Sequence, residues 1–182
     1  MQAVVGELID NGYADTTVER VAARAGIAKT TIYRRWGGLD GLLADLMAEH
    51  AAQEIAVPDE GNLDADLRAL ARGVVTSLRD PAIKAAFASM VAAAVQNPAA
   101  REVLSRFLAT RTAKMTVIIS RAIQRGELPP CSDAAGVIRT VTALIYYRLF
   151  IAGEQASEDI ADSAAATAAA ARTGVLSAPA PQ

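Results

Sequence analysis

Apolar residues recur at helical spacing along most of this chain, and interruptions of that period mark where one helix gives way to the next. Val18, Val21, Ala22 and Ala25 form one short stripe, with Glu19, Arg20 and Arg24 falling away from it. The run Thr16-Thr17-Val18-Glu19 ahead of it reads as a Thr-x-x-Glu capping box, in which hydroxyl and carboxylate satisfy the open N–H groups of a helix start. Gly26 supplies a turn. Ile27, Ile32 and Trp36 continue the apolar side into a second short pattern, which leaves Lys29, Thr30, Thr31, Arg34 and Arg35 outside the packed seam. Two short helices about a glycine turn, with cations and hydroxyls outermost on the second, form the arrangement that reaches phosphate oxygens and base edges.

The period continues downstream with no alternating strand pattern and no internal repeat, which predicts an all-α fold. Leu42, Leu43, Leu46 and Met47 carry a helix from near Leu39 to about Ile55, and the loop-like run Val57-Pro58-Asp59-Glu60-Gly61-Asn62 follows. Leu63, Leu67, Leu70, Val74 and Leu78 keep one face apolar until Asp80-Pro81, and Ile83, Phe87, Met90, Val91 and Ala94 do so until Asn97-Pro98. A longer helix runs through Val103, Phe107, Met115, Ile118 and Ile123 to Gly126 and Pro129-Pro130. Val137 to Phe150 mark the next helix, and Ile160 with Ala164 to Ala171 the last. The expected organisation is residues 1–47 as a three-helix reading domain with its connecting helix to about 56, residues 57–176 as a second helical domain, and 177–182 as a frayed tail.

Composition changes the picture in two respects. At 182 residues, with 52% hydrophobic and only 4% aromatic side chains, the core must be built from Ala, Leu, Val and Ile. The formal net charge of −2 argues against a nucleic-acid partner. Residues 16–38, however, hold Arg20, Arg24, Lys29, Arg34 and Arg35 against Glu19 alone, so a basic head is joined to an acidic body.

Several classes are set aside. Cys131 and His50 are single, which leaves no disulfide and no thiolate or histidine cluster for a metal, and no cofactor is expected. No nucleophile, base and orienting residue fall at suggestive spacing, and no glycine loop is shaped for phosphate, so an enzyme is not expected. The N-terminus lacks a basic region leading into a signal-peptide core, and no apolar run approaches the roughly 20 residues that span a bilayer. A cytoplasmic protein without a membrane partner is the expectation.

The run Gly-Ile-Ala-Lys-Thr-Thr-Ile-Tyr-Arg-Arg-Trp (26–36), the glycine pair 37–38 and Leu42-Leu43 resemble the N-terminal DNA-binding domain of the TetR family of transcriptional regulators, over residues 4–47. Tyr146 to Glu154 resembles the penultimate helix of some TetR-type ligand domains. The resemblance implies an N-terminal helix-turn-helix domain and a C-terminal ligand-binding and dimerisation domain. It further implies a homodimeric repressor released from a palindromic operator by a small-molecule effector. Lys29, Arg34 and Arg35 are expected on backbone phosphate, Thr30 and Thr31 on base edges, and Tyr33 and Thr17 on phosphate, with a buried tyrosine and a plain helix cap as the alternatives for the last two. Trp36 is expected to pack.

Three positions depart from the family pattern. Ala28 replaces the usual cap of the second helix, Leu39 replaces a lysine, and the first helix begins about ten residues before Gly12. Weak or salt-sensitive DNA binding is the expected result. The last two helices carry more apolar surface than a small domain buries, which calls for a partner unless they simply pack on their own core. In the family the partner is a second copy, here through roughly residues 133–152 and 156–171, which sets two heads about 34–36 Å apart, one turn of DNA. An effector cavity is implied too. Phe87, Met90, Val91, Phe107, Met115 and Tyr146 are its apolar candidates, with Gln96, Arg111 and Tyr147 as polar handles, and abundant alanine favours a mostly apolar ligand. The alternative function is a helical small-molecule-binding or interaction protein whose operator binding is weakened or lost.

Overall fold

Several helix boundaries fall where local side chains close the backbone groups that a helix leaves open. In the structure, a computed structural model that describes residues 1–52 and 56–171, the helices are α1 (Gln2–Asp15), α2 (Val18–Ala25), α3 (Lys29–Trp36), α4 (Leu39–Ala52), α5 (Leu63–Ser77), α6 (Pro81–Gln96), α7 (Pro98–Gln124), α8 (Ala134–Tyr146) and α9 (Glu158–Ala171). A π-helical turn, Tyr147–Ile151, continues α8. Asn62 accepts from the Ala65 N–H at 2.9 Å, Asp80 from Ala82 at 2.7 Å with Pro81 at the first helical position, and Asp133 from Gly136 at 2.8 Å. The all-α expectation holds among the described residues, while the expected tail at 177–182 lies outside them.

The capping box at Thr16 is corrected. Thr17 is the N-cap of α2, accepting from the Arg20 N–H at 3.3 Å, whereas the Thr16 hydroxyl donates back to the Gly12 carbonyl at 2.6 Å and ends α1. Gly12, at φ +70°, breaks the helical path inside α1 and frees that carbonyl. Ala25 and Ile27 also leave the predicted stripe, both being exposed. Gly26 turns the chain in the left-handed region and α3 begins only at Lys29, so the helical period does not carry across the turn.

The chain forms two units, one from residues 1–54 with 79–109 and the other from 55–78 with 110–182. In the first, Val4, Leu8, Val18, Val21, Ile32, Leu42, Leu43 and Leu46 bury against Ala86, Met90 and Ala93 of α6. Burying each large side chain contributes about 1.5–3 kcal/mol, and the alanines of α6 let α1 and α4 approach closely.

In the second unit, Ile160, Ala161, Ala164, Ala165 and Ala168 of α9 are buried, and α9 packs against α5 and α8. The segment leading into α5 is pinned to the end of α7. Arg121 donates to the Pro58 carbonyl at 3.1 Å, and Glu127 accepts from the Leu63 N–H at 2.7 Å. Asp66, fully buried, accepts from the Glu60 N–H at 2.6 Å and pairs with Arg125 at 3.2 Å.

The expectation that no helix is long and apolar enough to cross a membrane is also corrected. Ala134–Ile151 has the length and composition, 18 residues with a mean hydropathy of 1.4. The π turn extends α8 beyond the length its apolar period alone indicates. The same run carries Arg139 and Arg148, and Val137, Ile138, Val141, Ile145 and Leu149 are buried within the protein fold.

Candidate nucleic-acid interface

Short α3 has one buried side chain, Ile32, with Trp36 half-buried beside it. Thr30, Tyr33, Arg34 and Arg35 are exposed and Thr31 is half-buried. On a helix Thr30 and Arg34 are four apart, as are Thr31 and Arg35, so each hydroxyl shares a row with a guanidinium. Tyr33 is 48% exposed and is not the buried tyrosine of the alternative reading. The predicted hydroxyl and arginine face is therefore assembled as one open surface.

The orientation of this surface is fixed at the corner between α3 and α4. Gly37 at φ +75° ends α3. A Cβ placed at Gly41 would lie 1.8 Å from the Trp36 carbonyl oxygen, so only glycine lets the first turn of α4 close over the end of α3. The Trp36 indole N–H donates to Asp45 at 2.9 Å, and the Arg35 guanidinium lies 4.7 Å over the Trp36 ring. Trp36 packs as expected and also holds Arg35.

Charge is distributed differently from the sequence count. Glu7 of α1, only 7% exposed, accepts from Arg20 Nε at 3.0 Å and from Arg24 Nη1 at 3.1 Å, and Arg24 also meets Asp10 at 2.6 Å. The Arg24 hydrogen bond foremost, joined by Arg20, holds the Glu7 carboxyl below the usual carboxylate range although burial opposes this. A Cβ at Gly6 would fall 2.6 Å from the Arg24 guanidinium, so Gly6 admits this pairing. Arg20 and Arg24 thus tie α2 to α1. Lys29 pairs with Glu19 at 3.4 Å, but both are exposed, and such a pair is worth about 0–1 kcal/mol, little resistance to a competing phosphate. Thr17 is exposed and caps α2. The departures have local consequences as well. Ala28 has extended backbone suited to a cap but no side chain to provide one, and Leu39 packs against the core.

The candidate effector residues divide between the units. Phe87, Met90, Val91 and Phe107 belong to the first, where Met90 is buried in the same core as Ile32 and the Phe87 and Phe107 ring centroids lie 6.4 Å apart. Arg111, Met115, Tyr146 and Tyr147 belong to the second. Burial pushes the Arg111 guanidinium down and the Tyr146 hydroxyl up, and the two groups act on each other electrostatically. Met115 is buried, and Tyr147 is 57% exposed. No group of three or more His, Cys, Asp or Glu suited to a metal occurs among the described residues.

Two residues escaped sequence reasoning. Asp40, in the first turn of α4, accepts from the Tyr13 hydroxyl at 3.4 Å and from the side-chain amide of the second, Asn97. Asn97-Pro98 reads as a helix break and Asp40 as an ordinary position in the helix that starts near Leu39, so nothing in the sequence pairs the two.

A helix-turn-helix with an open hydroxyl and arginine face, backed by a helical domain, defines a DNA-binding transcriptional regulator. Residues 2–46 match the family described as bacterial regulatory proteins, tetR family, and residues 57–168 match the tetracyclin repressor-like C-terminal domain. The chain belongs to the TetR family of transcriptional regulators, which are not enzymes. It is 30% identical over 148 residues to the DNA-binding transcriptional repressor TetR of Mycobacteroides abscessus, covering 80% of this chain and 77% of that protein. It is 27% identical over 161 residues to the uncharacterized HTH-type transcriptional regulator YdeS of Bacillus subtilis, covering 87% and 80%. Its fold is similar to that of the transcriptional regulator FadR from Bacillus subtilis in complex with stearoyl-CoA, with a TM-score of 0.72, 18% identity and 96% of each chain covered.

Proposed function

We propose that this regulator is a cytoplasmic, homodimeric repressor that reads a near-palindromic operator through α3 and leaves it when a small, mostly apolar effector binds. The observation that carries operator reading is the open row of Thr30, Thr31, Tyr33, Arg34 and Arg35, held by a corner that tolerates no side chain at Gly41. Arg34 and Arg35 take phosphate, with Lys29 joining once it gives up Glu19, and the threonine hydroxyls and methyls read base edges. Tyr33 and the Thr17 end of α2 add phosphate contacts.

Dimerisation is supported by the outer stripe of α8 and the π turn, where Arg139, Ala143, Tyr147 and Ile151 recur every fourth residue and Ile151 is 74% exposed. Exposed Ser163, Ala166, Thr167 and Ala170 on α9 add a small-residue face. The acyl ligand named for the FadR structure supports an apolar effector class. Half-buried Arg111 beside Tyr146 would supply its polar end, with Met115 in the apolar part, while the candidates Phe87, Met90, Val91 and Phe107 lie in the first unit, Met90 within its core.

Alanine at Thr31 and at Arg34 tests the reading head. Both variants should stay folded and dimeric yet lose preference for the operator. Unchanged binding would favour the second reading, a helical binding protein with weakened operator affinity, for which the neutralised Arg20 and Arg24 and the uncapped α3 speak.

A further inference from the structure

Asp40 sits where three elements of the first unit converge. It is the second residue of α4, and the start of α4 is held against α3 by the close approach at Gly41 and the Trp36–Asp45 hydrogen bond. One carboxylate oxygen of Asp40 accepts from the Tyr13 hydroxyl near the end of α1, and the other from Nδ2 of Asn97. Asn97 is the single residue between α6 and α7. Its backbone N–H donates to the Ala93 carbonyl at 2.8 Å, its carbonyl accepts from Arg101 at 3.0 Å, and its Oδ1 accepts from the Ala99 N–H at 2.9 Å. That last bond settles which end of the amide points where, leaving the NH2 group for Asp40. The α6–α7 corner therefore adds one polar side-chain pair to the apolar packing of α6 against α4.

We propose that Asp40 and Asn97 are a positioning pair: their hydrogen bond sets the angle of α3 against the α6–α7 corner, and that angle sets the preference for operator over unrelated DNA. The inference rests on operator reading as the function. Neither residue touches DNA. Non-specific affinity comes from exposed cations and tolerates misorientation, whereas base-edge contacts do not.

The test exchanges the partners. Asn97→Asp keeps an acceptor for the Ala99 N–H but sets two carboxylates against each other. The double variant Asp40→Asn/Asn97→Asp restores a donor and an acceptor, in reverse order, at the native net charge. Asn97→Ser keeps a cap but is too short to reach Asp40. Two readouts are taken on the whole protein: the affinity ratio for its own upstream intergenic duplex against a scrambled one, and acrylamide quenching of Trp36, the only tryptophan. Asn97→Asp and Asn97→Ser should lower the ratio about tenfold and raise Trp36 quenching, and the exchanged pair should return both to near-native values. Native behaviour of the single variants, or failure of the exchange to restore Trp36, overturns the proposal. A native protein that cannot tell the two duplexes apart refutes operator reading, and the Trp36 readout still decides the pair.

Discussion

Ala28 and Glu7 show how single residues set the limits of the reading head. Ala28 already has the backbone of an N-cap, at φ −70° and ψ 137°, so only the hydroxyl is missing. Ala28→Ser should raise thermal stability by about 1 kcal/mol, visible as a higher melting temperature. Glu7 acts in the opposite sense. Because folding holds its carboxyl below the ordinary range, its contribution is present at neutral pH and is lost as pH falls through the depressed folded value. Glu7→Gln should lower stability at pH 7 and flatten the acid limb of a stability-against-pH curve. The Ala28 gap was legible in the sequence, since a cap is a local matter. The Glu7 network was not, because its arginine partners lie 13 and 17 residues away and no period reports such a pairing.

At the scale of elements, the helices were legible wherever their ends are set by neighbours in the chain, as at Asn62, Asp80-Pro81 and Asp133. The reading failed by one residue at Thr16 and Thr17, where two adjacent hydroxyls could each serve and the kink at Gly12 decided between them. The corner of α3 and α4 makes the sharper prediction. Gly41→Ala puts a Cβ against the Trp36 carbonyl and forces the corner open, so Trp36 emission should shift and operator affinity should fall more than tenfold while helix content is kept. Retained affinity in that variant would show that the corner does not orient α3.

Across the whole molecule, the helical class and the outward placing of Thr30, Arg34 and Arg35 followed from the period and the glycine turn. The grouping of α6 with α1 and α4 did not, because it depends on alanines at Ala86 and Ala93 meeting residues far away in sequence. Nor could the period reveal that Arg20 and Arg24 pair with α1, which leaves Arg34, Arg35 and Lys29 as the cations that the proposed operator reading would use. The proposed dimer belongs to this scale too. Ile151→Glu should leave the fold intact, shift the protein to monomer in sedimentation equilibrium and weaken operator binding sharply, since each half-site then binds alone. The most direct test of the central claim is fluorescence anisotropy of the purified protein on its own upstream intergenic DNA and on a scrambled duplex, at two salt concentrations. The account predicts saturable binding of one dimer, or a pair of dimers, per palindrome, with the preference surviving at the higher salt; equal binding to both duplexes, erased by salt, would contradict it.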